Sequence, residues 1–120
     1  MALNIPLEDS FTDIIGKAQR GLSINDEALA AKSGAPVAEI EKLKSGELDE
    51  TALRKVSAVL GLGAEALLAL AKSSYKPAVV HEPLGLAHFN SVFEDMTVNS
   101  FLVWDPSTKE AAIFDTGADG

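Results

Sequence analysis

The chain has 120 residues, 47% of them hydrophobic, and a formal net charge of −8. This is enough apolar material for a core, so wholesale disorder is excluded. The absence of cysteine excludes disulfides and thiolate metal sites. No run of about 18 apolar residues and no N-terminal signal pattern are present, so we expect a cytoplasmic protein without a membrane span.

The acidic charge is concentrated in the last third of the chain. Residues 1–76 carry nine Lys and Arg against eleven Asp and Glu, whereas residues 77–120 carry one Lys against seven Asp and Glu. This shift predicts two segments of different character. It also argues against broad nucleic-acid affinity, because an acidic chain lacks the positive field that supplies most of that affinity.

Two short helices are predicted first. One begins after Asp9 or Ser10, which are good N-caps, and ends at Gly21. Its core-facing positions recur at helical spacing: Phe11, Ile14, Ile15 and Ala18. The second begins at Asn25 or Asp26 and ends at Gly34.

Three more helices follow before residue 73. The third begins around Pro36, which the first helical turn tolerates, and ends near Gly46. The fourth begins near Asp49 and is broken by residues 61–63, and the fifth spans about 64–72. Their predicted core positions are Val37, Ile40, Leu43, Leu53, Val56, Leu60, Leu67, Leu68 and Leu70.

The pattern then changes from helix to strand. Residues 74–86 contain prolines, serines and a glycine and are predicted to be a linker. Strands are predicted over 86–93, 98–105 and 110–115, with a turn at 106–109. Because apolar side chains alternate onto both faces of these strands, we expect a sheet that is covered on both sides.

Spaced signals between Leu22 and Leu70 match one known family. They are Leu29 and Ala30, the turn glycine Gly34, the aliphatic Ile40, the pair Ser45 and Gly46, and a closing group at Leu60, Gly61, Leu62 and Leu67. On these residues the region resembles the phage-repressor (Cro-like) helix-turn-helix family. The resemblance implies a five-helix, lambda-repressor-like domain whose third helix would enter the major groove of DNA.

The resemblance assigns the DNA-facing positions to Lys32, Val37, Ala38, Glu41, Lys42 and Lys44. At the start of the third helix, Pro36 to Ala38 and Glu41 offer none of the usual bidentate contacts to guanine or adenine. Asp26, at the start of the second helix, carries a carboxylate that repels phosphate. We therefore expect DNA binding to be weak, and an ancestral scaffold used for packing or protein contact is the alternative.

The last strands carry a second resemblance. Asn99 begins a strand that continues Phe-Leu-Val-Trp, and the next strand ends in Asp115, Thr116 and Gly117. This resembles the opening of metallo-β-lactamase-fold hydrolases. That family holds zinc or iron with a downstream His-x-His-x-Asp-His loop, whereas this chain has only His81 and His88, outside any such motif. The resemblance implies a supporting role for Asp115 and no catalytic or metal-binding residue in this chain.

Together these patterns predict a mainly α fold. A five-helix helix-turn-helix-like domain spans 1–73, a linker spans 74–86, and a β segment over 87–120 begins an α/β metallo-β-lactamase fold that it does not complete. The expected function is that of the N-terminal fragment of a metal-dependent hydrolase. Alternatives are a helix-turn-helix transcriptional regulator and a protein-interaction module. The exposed hairpin also predicts a homodimer through the β segment.

Overall fold

The computed structural model describes residues 2–117 and divides the chain into two compact units. The helical unit comprises residues 9–76. The β unit joins residues 2–8 to residues 77–117. The described residues thus contain five helices and an antiparallel sheet, a mixed architecture with more strand than a mainly α class implies.

The helical unit consists of short helices with well-defined ends. They are α1 (Phe11–Gly21), α2 (Asp26–Ser33), α3 (Val37–Lys44), α4 (Glu50–Leu60) and α5 (Ala64–Ala71). Side chains of Ser10, Asn25 and Asp49 accept hydrogen bonds from the first turns of α1, α2 and α4. Gly34 and Gly61 end α2 and α4 in the left-handed conformation, which glycine adopts without steric cost.

One core holds these helices together, and every helix contributes to it. Its buried members are Phe11, Ile15, Leu29, Ala35, Ile40, Leu43, Ala52, Leu53, Val56, Leu60, Leu67 and Leu68. Ile14, Ala18 and Leu70 pack against it while partly exposed. The predicted stripes are confirmed with one exception, since Val37 is only half-buried and lies outside the core.

The β unit contains two small sheets. In the first, β1 (Ala2–Leu3) pairs antiparallel with β2 (Val80–His81). The second is an antiparallel meander of β3 (Leu86–Phe93), β4 (Met96–Trp104) and β5 (Ala111–Phe114), in which β4 is central. Gly85 lets the chain enter β3 at φ 87°, where its carbonyl accepts a hydrogen bond from the backbone N–H of Trp104 at 2.8 Å.

The N-terminal segment, residues 2–8, contacts the part of the β4 edge that β5 does not cover. β5 pairs only with Phe101–Trp104, and its ladder ends where Asp115 turns to a left-handed φ of 59°. Beyond that point the backbone N–H of Asn99 donates to the carboxylate of Glu8, and the Asn99 side chain donates to the carbonyl of Pro6 at 2.8 Å.

Three features of the β unit differ from the sequence-based expectation. Residues 2–3 pair with residues 80–81, which lie inside the region predicted as linker. The sequence does not predict this pairing, because strands of two residues leave no periodic signal. The second predicted strand begins at Met96 instead of residue 98. Glu94, with a φ of 54°, and Asp95 form a two-residue turn, although such turns favour glycine and asparagine. The sheet is also not covered on both sides, as Ile113 is 68% exposed and Phe114 58%.

The longest helices have 11 residues. Among residues 2–117, none of the helices has the length and hydropathy that a membrane span requires.

Candidate functional site

The predicted DNA-facing residues lie on α2 and α3. Ala38, Glu41, Lys42 and Lys44 are exposed on α3, as is Lys32 on α2, whereas Val37 is half-buried. The turn between the two helices is set by Gly34 at φ 71° and by Ala35, which is buried in the core. The geometry therefore presents one face of α3, but this face offers two short apolar side chains and one carboxylate where a base-reading surface has amides or guanidinium groups.

Two of the three candidate lysines are engaged with carboxylates. Lys44 donates from Nζ to both oxygens of Asp26, at 2.9 and 2.8 Å. Lys42 lies 3.3 Å from Glu39 on the same helix. Within the described residues, Lys32 makes no ion pair. The positive charge available to a phosphate on this surface is consequently smaller than the three lysines suggest.

Asp26 is the centre of a polar network that joins three helices. Its Oδ1 atom also accepts a hydrogen bond at 2.7 Å from the side-chain amide of Gln19, which is only 6% exposed. Desolvation works to raise the pKa of Asp26, but the hydrogen bonds from Gln19 and Lys44 outweigh it, and the pKa lies below its ordinary value. Asp26 is therefore ionised at neutral pH and fixes α1, α2 and α3 to one another.

This network lies in a cleft of mixed charge. Besides Gln19, Asp26 and Lys44, side chains of both signs line it: Arg20, Glu27 and Glu41. Such a mixed lining does not provide the basic stripe by which nucleic-acid-binding domains are recognised.

The second candidate site is the turn that follows β5. Asp115 is exposed, and Gly117 closes the turn at φ 73°. A Cβ atom at Gly117 would lie 2.9 Å from the hydroxyl oxygen of Ser91, so glycine allows the turn to approach β3 closely. The turn borders an open groove of about 400 Å³ on one face of the sheet, lined mainly by Phe89, Ser91, Ser100, Leu102 and Ile113.

The two histidines do not join Asp115. His88 hydrogen-bonds through Nε2 to the side-chain oxygen of Asn99 at 2.8 Å and stacks, tilted, on Phe101. Asn99 also accepts from Asn90, so it links β3, β4 and the N-terminal segment. His81 lies in β2. In the part of the chain that the structure describes, no three His, Asp or Glu side chains are grouped so as to hold a metal ion.

Sequence reasoning missed two residues that organise these sites. Gln19 had a usable signal, because it follows Phe11 and Ile15 at four-residue spacing and so continues the buried side of α1. Glu8 had none, since its contact with Asn99 spans 91 positions of the chain.

Comparisons of the chain with protein-family models, with curated proteins and with solved structures found no match.

Proposed function

We propose that this chain is the leading part of a metal-dependent hydrolase of the metallo-β-lactamase fold. In this proposal the β unit supplies the first strands of the catalytic domain, and residues further along the polypeptide supply the metal ligands. Asp115 supports the site from the end of β5. The bound metal, zinc or iron, would activate water, with its ligands supplied by that later part of the polypeptide.

The observation that carries the proposal is the end of the β meander. The hairpin of β4 and β5 stops where Asp115 leaves the extended conformation, and Gly117 turns the chain back toward β3. A strand that ends at Asp-Thr-Gly is what the resemblance implies. The exposed apolar side chains of the meander also support the proposal, because a sheet that begins a larger domain receives further layers on its faces.

The helical unit is, in this proposal, a separate module for protein contact. Its net charge is close to balanced, with nine basic and ten acidic residues over 9–76. Lys42 and Lys44 are held by carboxylates on the same surface. Both features favour packing against a protein over binding to a polyanion.

A DNA-binding regulator is the second candidate. The pairing of α2 with α3 across Gly34 favours it, because this is the arrangement that the helix-turn-helix resemblance implies. Weak, salt-sensitive and sequence-independent DNA binding is the outcome consistent with the surface charges described above.

The proposal is tested on the natural reading frame that contains this chain. We expect the codons beyond residue 120 to encode a His-x-His-x-Asp-His loop, and the longer protein to retain zinc or iron after dialysis by elemental analysis. The 120-residue chain is the matched control and should retain none. A reading frame without that loop, or stoichiometric metal on the short chain that is lost on changing His81 or His88, contradicts the proposal.

A further inference from the structure

Among the described residues, no strand pairs with the outer edge of β3. β3 is the terminal strand of its sheet, and within residues 2–117 it pairs with β4 alone. Its eight residues include no charged side chain and no proline. Natural edge strands of this length usually carry Lys, Pro or a bulge to prevent pairing with another strand.

The hydrogen-bonding groups on this edge can be assigned from the ladder. The N–H of Trp104 points to β3, so the N–H of Asn99, five residues earlier, points to the opposite side, where Glu8 accepts it. Asn90 is paired with Asn99. Because the N–H of Asn99 points away from β3, Asn90 and Asn99 form a non-hydrogen-bonded pair of the antiparallel ladder. The backbone groups of Asn90, and equally of His88 and Val92, therefore point outward.

We propose that a second copy of this chain binds the open edge, with β3 antiparallel to β3 of the partner subunit about a two-fold axis at Phe89. The outward groups of His88 and Asn90 then form backbone hydrogen bonds across the axis. Val92 lies opposite Leu86 of the partner subunit, whose N–H already donates to the carbonyl of Pro83, so only the Leu86 carbonyl is available to the N–H of Val92. The two meanders become one continuous six-stranded sheet. This inference concerns the 120-residue chain itself and does not depend on the proposed hydrolase function.

The side chains of β3 are complementary to themselves in this register. Phe89 lies opposite Phe89 of the partner subunit, as a cross-strand aromatic pair. On the other face Leu86 lies opposite the partner's Val92, and His88 lies opposite the partner's Asn90. No pair joins like charges, which would be destabilising.

The flanking charges fit the same register. The acidic residues that border β3 are Glu82, Glu94 and Asp95. They fall opposite uncharged positions: Met96, Leu84 and Pro83 of the partner subunit. A slip by one residue would move every apolar side chain to the other face, and a slip by two would replace the aromatic pair with an Asn90 pair.

We expect a weak interface below the standard size of about 800 Å² per partner, with a dissociation constant on the order of 10–100 µM. Sedimentation of the full chain should show a reversible monomer–dimer equilibrium in that range. The Phe89→Glu variant should be monomeric, because it opposes two carboxylates on the axis. Phe93→Glu introduces the same charge on the same face of the strand, away from the axis and opposite Gly85 of the partner subunit, and should retain the dimer.

Cysteine cross-linking tests the register directly, since the chain has no cysteine of its own. Residues opposite each other in a non-hydrogen-bonded pair have Cα atoms about 4.5 Å apart, within the range of a disulfide. Under mild oxidation, Phe89→Cys should therefore cross-link about tenfold faster than Phe93→Cys at equal concentration. Equal rates, faster cross-linking of Asn90→Cys, or a wild-type chain that stays monomeric at about 500 µM overturns the proposal.

Discussion

The Nζ atom of Lys44 lies 2.8 Å from Oδ2 of Asp26, so a cation at the end of α3 is neutralised by a carboxylate at the start of α2. The two residues are 18 positions apart. The same carboxylate holds the buried amide of Gln19. This contact decides how much positive charge the helix-turn-helix surface presents, and it makes the function of that surface testable by single substitutions.

The first prediction concerns DNA binding. Asp26→Asn should release Lys44 and add about one unit to the slope of log K against log salt concentration for a random DNA duplex. Fluorescence anisotropy at several salt concentrations measures this slope. Glu27→Gln is the control, because it removes a neighbouring exposed carboxylate without releasing Lys44. An unchanged slope for Asp26→Asn would show that Lys44 does not reach phosphate, and nanomolar, sequence-specific binding of the wild type would contradict the expected weak binding.

The second prediction concerns pH. The pKa of Asp26 in the folded unit lies below the ordinary value of 3.8, so ionised Asp26 stabilises the fold above that value. This contribution is lost as pH falls through 3.8 toward the lower, folded-state pKa. The difference in free energy of unfolding between wild type and Asp26→Asn should therefore be full at neutral pH and shrink steadily in acid. Urea unfolding across pH measures it, and a difference independent of pH would contradict the ion pair.

The third prediction concerns the core of the helical unit. Ile40 is fully buried at the centre of the five helices, so Ile40→Ala should cost about 2–5 kcal/mol. Val37→Ala removes a half-buried side chain from the same helix and should cost less than about 1 kcal/mol. A fragment of residues 9–76 is expected to fold cooperatively and provides the background for both variants. Equal losses for the two variants would place the wrong face of α3 in the core.

The helices could be predicted from local signals, because several helix ends are marked by a residue that acts within four positions. Ser10, Asn25 and Asp49 cap first turns, and Gly34 and Gly61 end helices in a conformation that favours glycine. The predicted helix ends therefore agree with the structure to within a residue or two. Strand β3 also has the predicted bounds, and Gly85 marks its start.

The remaining features depend on contacts between distant parts of the chain. The pairing of Ala2 with His81 and the contact of Glu8 with Asn99 leave no periodic pattern. At the candidate sites, the sequence shows which residues are charged but not which charges meet. Lys44 could be named as a DNA contact from its position in α3, whereas its engagement by Asp26 follows only from the crossing of α2 and α3.

The last prediction concerns the entry into β3. A Cβ atom at Gly85 would lie 2.4 Å from the carbonyl oxygen of Trp104, and the backbone there has a φ of 87°. Gly85→Ala thus meets both a rigid backbone atom and a strained conformation, so it should destabilise the β unit by more than about 2 kcal/mol. Gly117→Ala is the matched control in the same unit, with a φ of 73° but facing a side-chain oxygen, that of Ser91, instead of a backbone atom. Trp104 fluorescence during urea unfolding reports on this unit, because Trp104 is the chain's only tryptophan. A smaller loss for Gly85→Ala than for Gly117→Ala would mean that the close approach of Gly85 to Trp104 does not constrain the meander.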